Sequence, residues 1–461
     1  MDRLAQLELH TEQLSTAVKS LMNHRHNIDP PESPRAGLDT DRELSNAKAS
    51  ILANVASIKA IVGGPDDLLQ GLATQAEILA CLQWLAECQI LACIPLELSI
   101  PTNDLADLAG VPVSQLLRAI RLLATVGFLQ EQEPGSVAHT PLSAQFITSQ
   151  SLLDASVFMA ESAVSGALQM PIATQRFGAT QGGPAEAAMN SIRSFQSALR
   201  ERSRLRRQWS AYLRHAAGLH QEEEEELDVI SRLNWSNLGS ACIVEVNARS
   251  TSMARSLAER FPSLRLTVQI DDASAPLSQD SLWHSGPTDI DLRDSRDARM
   301  ESDAEQRNKD NSGTIPSSDA NLNVTYRSAG MPQHVKDAAV YILHLPAARP
   351  RPSPGGSPAT LVKAELQSYL DLLRTNGSVM LVLTTRLLPE PGSLCGPEVE
   401  AVARARDLCM FQLTNEGELE LADVLGMIEA VRDNVGRLVV TSQLRSHNNL
   451  IVALVVKHQA S

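Results

Sequence analysis

The segment between residues 241 and 272 constrains the fold more than any other part of this sequence. Residues 242–246 form a short apolar run, residues 253–261 follow with helical periodicity, and residues 264–270 form a second apolar run. Two apolar strands on either side of a helix are typical of a βαβ unit in a parallel sheet. Such units use glycines in the loop after the first strand to bring the backbone close to a ligand. Here residues 247–252 contain no glycine, so the sequence predicts a ligand-site scaffold without its usual contact surface.

The carboxyl-terminal half continues this alternation and predicts an α/β domain over residues 233–461. Further elements follow from the same periodicities, with strands at 323–326, 338–344, 378–384, 438–442 and 451–457 and helices at 361–374 and 399–413. The last two strands are predicted to pair antiparallel and to close the sheet. Residues 274–321 are rich in Asp, Ser and Asn and lack apolar periodicity, which indicates a disordered insertion at about 274–321.

A second compact pattern occupies residues 65–150. A helix from Thr102, a turn at Gly110 and a second helix from Ser114 are followed by a short hairpin within residues 128–140. Two short helices and a β-wing in this order predict an α+β winged-helix domain.

The second helix of this pattern is poorly suited to reading DNA. It offers Arg118 and Arg121, but its other positions are chiefly Leu, Ile and Ala. A recognition helix needs several polar side chains that reach base edges. We therefore expect a packing helix and no direct DNA binding, with DNA contact through this helix as a third hypothesis.

The remaining segments are predicted to be helical. Residues 1–64 contain helical patterns at 3–23 and 43–62, separated by a Pro- and Asp-rich linker at 27–41. The first of these helices is expected to dock on its own domain or on a twin subunit. Residues 151–232 form a helical connector.

The connector shows an abrupt change of charge. Residues 200–215 carry seven positive side chains, counting His215, and residues 222–226 are five consecutive glutamates. The preferred interpretation is a solvated helix whose basic face is balanced by the acidic run. The alternative is a patch for nuclear import or for docking a partner.

The overall charge limits the partners of this chain. A formal net charge of −14 disfavours unaided binding to nucleic acid or anionic membranes. No apolar run approaches the roughly 20 residues of a membrane span, and the amino terminus lacks a secretory layout. The six cysteines form no CxxC pair, so no metal site is expected. We expect a protein of the nucleus and cytoplasm.

Several separate stretches resemble the S-adenosylmethionine-dependent small-molecule O-methyltransferases. The stretches that carry this resemblance, in order along the chain, are residues 116–129, 139–146, 241–272, 336–344 and 405–431. The family joins a winged-helix dimerisation domain to a Rossmann-like catalytic domain. The resemblance therefore implies an α+β winged-helix domain followed by an α/β Rossmann-like, methyltransferase-type domain. It also implies a homodimer formed through the N-terminal region.

The resemblance locates the degenerate cofactor loop. Glu245 matches the acid that ends the family's first strand, and Asn247, Ala248 and Thr251 fall where the family has glycines. Glycine is used there because the backbone takes positive φ and passes close to the cofactor. Thr251 is expected to fit worst, since a β-branched residue resists positive φ and fills space.

An acid for the cofactor's ribose hydroxyls is retained. Asp271, or its neighbour Asp272, stands where the family holds this acid. The alternative interpretation is that an Asp after a strand is simply a turn former.

The catalytic half of the family pattern is degraded as well. The position of the histidine that acts as general base falls on Ala348. His344 lies nearby, but it belongs to the predicted strand and is interpreted as structural. Glu418 matches the acid that orients the base, although no histidine remains for it to orient. The resemblance thus implies a pseudo-enzyme with no catalytic residues and no cofactor.

One subgroup matches this combination best. The chain resembles the methyltransferase-like transcriptional co-activators of fungal aromatic polyketide clusters, of the aflatoxin-pathway co-regulator type. This resemblance implies a catalytically silent co-activator that works with a zinc-cluster DNA-binding activator. The alternative is an active S-adenosylmethionine-dependent O-methyltransferase that acts on a phenolic polyketide intermediate.

Overall fold

The fold was analysed on a computed structural model of the chain. It describes residues 2–26, 34–177, 195–218, 222–248, 250–271, 321–328, 330–345, 358–390, 397–414 and 417–460. Asp272, Ala348 and nearly all of the predicted insertion, residues 274–320, lie outside the described residues.

Two long helices open the chain, α1 (Arg3–His26) and α2 (Pro34–Val62). Arg3 donates to the carbonyl of Ile61, and His10 Nδ1 lies 2.9 Å from Asn54 Oδ1, so the two helices run antiparallel. The linker predicted at 27–41 was wrong in its second half, because α2 already begins at Pro34. Proline suits the first turn of a helix, where its missing N–H has no partner to lose.

The next elements combine helices with a small sheet. They are α3 (Pro65–Glu87), a 3₁₀ turn (Ile90–Cys93), β1 (Ile100–Pro101), α4 (Thr102–Ala109), α5 (Val113–Thr125), β2 (Leu129–Gln130) and β3 (Ser136–His139). The three strands form an antiparallel sheet in the order β1-β3-β2. Gly110 ends α4 with a φ of 66°, a left-handed conformation that glycine adopts without strain.

Helix α5 is a packing helix on its inner face. Leu116, Ile120 and Leu123 are fully buried, and they recur at the spacing of one helical face. On the outer face, Arg121 forms an ion pair with Glu131 of the hairpin at 3.3 Å.

The connector is helical throughout its described part. Its elements are α6 (Pro141–Thr148), α7 (Gln150–Phe158), a π-helical segment (Met159–Val164), α8 (Ser165–Leu168), α9 (Met170–Phe177), α10 (Phe195–Glu201), α11 (Ser203–His215) and α12 (Glu222–Ser231). Phe158, Phe195, Trp209 and Tyr212 form one aromatic cluster, with Phe158 and Tyr212 ring centroids 4.9 Å apart. This cluster also packs against Met410 from the carboxyl-terminal half.

The carboxyl-terminal half is built on a seven-stranded sheet. After a 3₁₀ turn (Trp235–Leu238) come β4 (Cys242–Ala248), α13 (Ser252–Arg260), β5 (Arg265–Asp271), β6 (Leu322–Arg327), β7 (Val340–His344), α14 (Pro358–Thr375), β8 (Met380–Arg386), α15 (Pro397–Thr414), α16 (Leu421–Ala430), β9 (Gly436–Arg445) and β10 (Ile451–Ala460). The strand order is β6-β5-β4-β7-β8-β10-β9. The predicted antiparallel pairing of the last two strands is confirmed.

Apolar cores cover both faces of this sheet. Val244 and Val246 face one core, whereas Ile243 between them in sequence faces the other, because side chains alternate along a strand. The strands β4 to β8 are parallel, and β10 is antiparallel to both neighbours. This is a methyltransferase-like α/β fold with a mostly parallel sheet. Within the described residues, no helix combines the length and the apolar character needed to cross a membrane.

Candidate functional site

The strand order points to one crevice. The chain adds β5 and β6 on one side of β4 and then returns to place β7 and β8 on the other side. Ligands of open α/β sheets bind outside the carboxyl ends of the strands at such a reversal. The candidate site is therefore the edge formed by the ends of β4 and β7.

A buried histidine joins two carboxylates at this edge. His344, the last residue of β7, places its Nε2 2.9 Å from Glu245 Oε1 on β4. Its Nδ1 lies 2.8 Å from Glu226 Oε1 on α12. The side chains of Glu226, Glu245 and His344, here called the carboxylate–histidine cluster, are at most 12% exposed.

The two carboxylates keep the histidine charged. Burial opposes protonation, but the charges of Glu226 and Glu245 and their hydrogen bonds outweigh it and raise the pKa of His344 to about 10. With both ring nitrogens donating, the imidazolium satisfies one oxygen of each carboxylate. The interpretation of His344 as a structural residue stays a prediction, and the structure adds that this residue carries a buried charge at the candidate site.

Glu226 fastens a connector helix to the sheet. Thr384 Oγ1 on β8 donates to Glu226 Oε1 at 2.6 Å. Asn448, between β9 and β10, donates from Nδ2 to Glu225 Oε1 at 2.6 Å. Glu225 and Glu226 therefore hold helix α12 at the carboxyl ends of the strands. A ligand of this fold class would lie close to this position.

Two glutamates of the acidic run on α12 contact the sheet and not the basic helix α11. Glu225 and Glu226 point to the sheet and bond Asn448 and His344. For these two residues the interpretation that the run balances the basic face is wrong. The ion partners of α11 come from other helices, as with Arg207 and Asp154 at 2.6 Å.

Asn247 takes the glycine-like conformation in the loop after β4. Its φ is 56°, and the register between β4 and β5 shifts between Val246 and Ala248. Asparagine adopts the left-handed region more readily than other non-glycine residues. Its Nδ2 donates to the carbonyl oxygen of His344 at 3.4 Å, which ties the loop to β7.

The other two glycine-equivalent positions behave differently from the sequence expectation. Thr251 was expected to be strained by positive φ, but its φ is −92° and it stands just before α13. Ala248 is 1% exposed and its methyl group packs in the core beside Met253 and Ala254. The backbone at Thr251 is therefore unstrained, and the side chain at position 248 belongs to the core.

The remaining predicted residues are described to different extents. Asp271 is the last residue of β5 and pairs in register with Arg327 of β6, but its side chain lies outside the described part. Ala348 and Asp272 also lie outside the described residues. The predicted base position and the predicted ribose acid thus stay predictions.

Glu418 belongs to a different ion pair. Its two carboxylate oxygens accept from Arg406 Nε and from Arg406 Nη2, the latter at 2.7 Å. The guanidinium is 2% exposed and also donates to the carbonyl of Ala217 at 2.8 Å. Among the described residues no histidine contacts Glu418, and its partner is an arginine of α15.

Sequence reasoning missed the cluster because its members are distant in sequence. Glu226 and His344 are 118 residues apart. One local signal was available: Glu226 precedes the buried Val229 and Ile230 by three and four residues, which places it on their helix face.

Comparison with known proteins gives matches along the whole chain. Residues 4–63 match the family described as "Trypacidin cluster transcriptional coactivator tpcD N-terminal domain". The notoamide biosynthesis cluster transcriptional coactivator notR of Aspergillus sp. (strain MF297-2) is 51% identical, over 100% of this chain and 98% of that protein. The dothistromin biosynthesis regulatory protein aflJ of Dothistroma septosporum is 37% identical, over 100% of this chain and 99% of that protein.

Solved structures share the fold at low sequence identity. LepI in complex with SAM superposes with a TM-score of 0.61 at 14% identity, over 97% of this chain and 100% of that chain. The mitomycin 7-O-methyltransferase MmcR superposes with a TM-score of 0.55 at 16% identity, over 90% of this chain and 100% of that chain. These likenesses concern the fold alone.

Proposed function

Because this chain belongs to the family of fungal secondary-metabolite cluster transcriptional coactivators, we propose that it raises transcription of such a cluster and is catalytically silent. The observation that carries the first part is the match to notR along the whole chain at 51% identity. The second part rests on the carboxylate–histidine cluster at the crevice.

We infer that the residues at this crevice disfavour S-adenosylmethionine. Glu245 already binds an imidazolium through Oε1, and Ala248 stands where the family has a glycine. A cofactor that used Oε1 of Glu245 would have to compete with His344. Separating a buried pair of charges costs several kcal/mol, because each partner is left without compensation. We therefore expect no cofactor and no catalytic residue.

A DNA-binding partner fits the features of the amino-terminal half. We classify residues 65–150 as a winged-helix module, since α4, α5 and the β2–β3 hairpin follow in that order. Helix α5 buries one face, and Arg121 on the other is engaged by Glu131. With a net charge of −14, the chain needs a partner to reach DNA. The proposed partner is a zinc-cluster activator, met in the nucleus after synthesis in the cytoplasm.

Homodimerisation through the N-terminal region is part of the same proposal. The related fold pairs subunits there, and α2 exposes Leu52 at 61% and Val62 at 66% to solvent. Sedimentation velocity of the purified chain checks it: a dimer that dissociates when both residues are changed to Ser supports the pairing, and a monomer contradicts it.

Deletion of the gene in the producing fungus tests the coactivator function. Cluster transcripts should fall several-fold, and the wild-type gene should restore them. Co-purification of the tagged protein from the same strain should recover the zinc-cluster activator. Normal transcript levels in the deletion strain contradict the proposal.

The second candidate, an active O-methyltransferase, is favoured by one observation. Glu245 Oε2 and Asn247 Oδ1 are buried acceptors without a hydrogen-bond partner among the described residues. Buried acceptors are usually satisfied, and donor groups of a ligand would satisfy them. This candidate predicts that the deletion strain keeps its transcripts and accumulates an unmethylated phenolic intermediate, so transcript and metabolite measurements in one strain separate the two functions.

A further inference from the structure

Helix α11 and the end of α10 carry several arginines to which the described residues offer no ion partner. Arg200, Arg202, Arg206 and Arg214, here called the arginine stripe, are all exposed. The described part of the chain gives none of their side chains an ion pair. The stripe is unusual in a protein with a net charge of −14.

Neighbouring arginines on the same helix are engaged by acids. Arg204 pairs with Glu87 of α3, and Arg207 holds Asp154 of α7 through Nε at 2.6 Å. The stripe is therefore not a general consequence of a basic helix. Two residues of the glutamate run point to the sheet instead, with Glu225 bonded to Asn448 and Glu226 bonded to His344.

The helix geometry places the stripe on the solvent side. Trp209 and Tyr212 are buried and point into the aromatic cluster. Arg206 and Arg214 are exposed on α11, eight residues apart and therefore about 80° apart around the helix axis. They are about 12 Å apart along the axis, and Arg202 and Arg200 extend the row beyond the helix start.

Two arginines of the stripe lie at the amino end of α11. Arg202 is the residue before α11, Arg206 lies near its first turn, and that turn contains no acid. The amino end of a helix carries partial positive charge, so cations there are unfavourable and anions are favourable. An anionic ligand at these two arginines would be favoured by the helix dipole as well as by their charge, whereas Arg214 lies in the last turn, where a cation is favourable.

We propose that the arginine stripe is the docking surface for an acidic segment of a partner protein. Guanidinium groups bind carboxylates through paired hydrogen bonds. A flexible acidic segment can adapt its shape, so a few neighbouring arginines are enough to bind it. DNA is the less suitable anion, because a duplex brings a long polyphosphate toward a chain with a net charge of −14. The inference rests on the proposed coactivator function, which requires such a partner.

A peptide titration on the full-length protein tests the proposal. The probe is a fluorescein-labelled peptide of about 20 residues in which Asp and Glu alternate with Leu and Phe. A matched peptide carries Asn and Gln instead of the acids. Fluorescence anisotropy should detect binding of the acidic peptide that weakens with added salt, and at least about 10-fold weaker binding of the neutral one.

Charge reversal locates the binding surface. The variant R202E/R206E/R214E should bind the acidic peptide at least about 10-fold more weakly. The control variant R255E/K363E/R437E makes the same change in net charge at exposed residues of the sheet domain and should lose less than about twofold. Equal losses in the two variants, or no loss in the first, overturn the proposal.

The thermal stability of R202E/R206E/R214E shows whether misfolding causes its weaker peptide binding. The variant places two acids at the amino end of α11, where the dipole favours them, and one in the last turn, where the dipole disfavours it, so its Tm should stay within about 2 °C of the wild-type value. If it does not fold, R202Q/R206Q/R214Q removes the charge without reversal and should lose most of the peptide affinity.

Other outcomes identify other occupants and overturn the proposal. A short DNA duplex that binds more tightly than the peptide, and depends on the stripe, assigns the surface to nucleic acid. A wild-type dimer that R202E/R206E/R214E converts to a monomer assigns it to self-association. A failure of the proposed coactivator function would be seen in a different measurement. If deletion of the gene leaves cluster transcripts unchanged while the acidic peptide still binds at the arginine stripe, the coactivator function is contradicted and the docking inference stands.

Discussion

Two regions of this molecule concentrate charge in opposite ways. At the carboxyl ends of the strands, Glu226, His344 and Glu245 are buried and bonded to one another. On α11, Arg206 and Arg214 are exposed and lack an ion partner within the described residues. At the crevice where this fold class binds ligands, the charges of Glu226, His344 and Glu245 are paired with one another. The exposed positive charge of Arg206 and Arg214 lies on the connector.

The contrast distinguishes charge that is paired inside the fold from charge that is available at the surface. Glu245 in the crevice is bonded to a charged histidine inside the protein. Arg202 and Arg206 lie at the amino end of α11, where the helix dipole disfavours a cation, and natural proteins accept such local conflicts mainly at functional sites.

Removing the buried cation should destabilise the protein most. H344A leaves Glu226 and Glu245 facing one another without compensation, which should lower the free energy of unfolding by about 3–5 kcal/mol. Urea unfolding followed by circular dichroism measures this. The exposed His447 is the matched control, and H447A should change the free energy by less than about 0.5 kcal/mol.

A triple apolar variant distinguishes a charge effect from lost packing. E226L/E245M/H344L removes all three charged groups and should recover most of the stability that H344A loses, because a buried ion pair and an apolar replacement are often similar in energy. A triple variant as unstable as H344A would show that the cluster contributes through its shape and not through its charges.

The stability of the wild-type protein should fall in mild alkali. The pKa of His344 is raised from 6.5 to about 10 on folding, so its contribution is complete below about pH 6.5 and is lost as the pH rises through about 10. The free energy of unfolding should therefore fall by about 2–3 kcal/mol between about pH 7 and pH 9. H344Q should lack most of this slope, and an equal slope in both proteins would contradict the assignment.

The end of β4 should respond to substitution at Asn247, which has a left-handed backbone conformation. N247A forces alanine into a φ of 56° and should cost about 1–2 kcal/mol. N247G keeps the conformation and loses only the bond to the His344 carbonyl, so it should cost less than N247A. Thermal unfolding measures both, and the reverse order would contradict the backbone explanation.

The arginine stripe should contribute least to stability. R214A removes an exposed side chain that forms no ion pair in the described part of the chain. Its free energy of unfolding should stay within about 0.5 kcal/mol of the wild-type value. A loss comparable to that of H344A would show that Arg214 has a structural partner, and would remove the contrast between the two regions.

The sequence predicted the sheet better than the site. Periodicity located the βαβ unit and the final antiparallel pair, because burial on two faces leaves a local pattern. It failed where a contact joins distant segments, as between Glu226 and His344. The prolines of residues 27–41 predicted a linker, but α2 already begins at Pro34. Backbone strain was predicted at Thr251, whereas Asn247 is the residue with the positive φ.

Isothermal titration calorimetry of the purified wild-type protein with S-adenosylmethionine tests the silent crevice most directly. Because Glu245 Oε1 is engaged by His344, we expect no heat of binding up to millimolar cofactor. Saturable binding with a Kd in the micromolar range would contradict it, and would show that the crevice of this chain still takes the methyl donor.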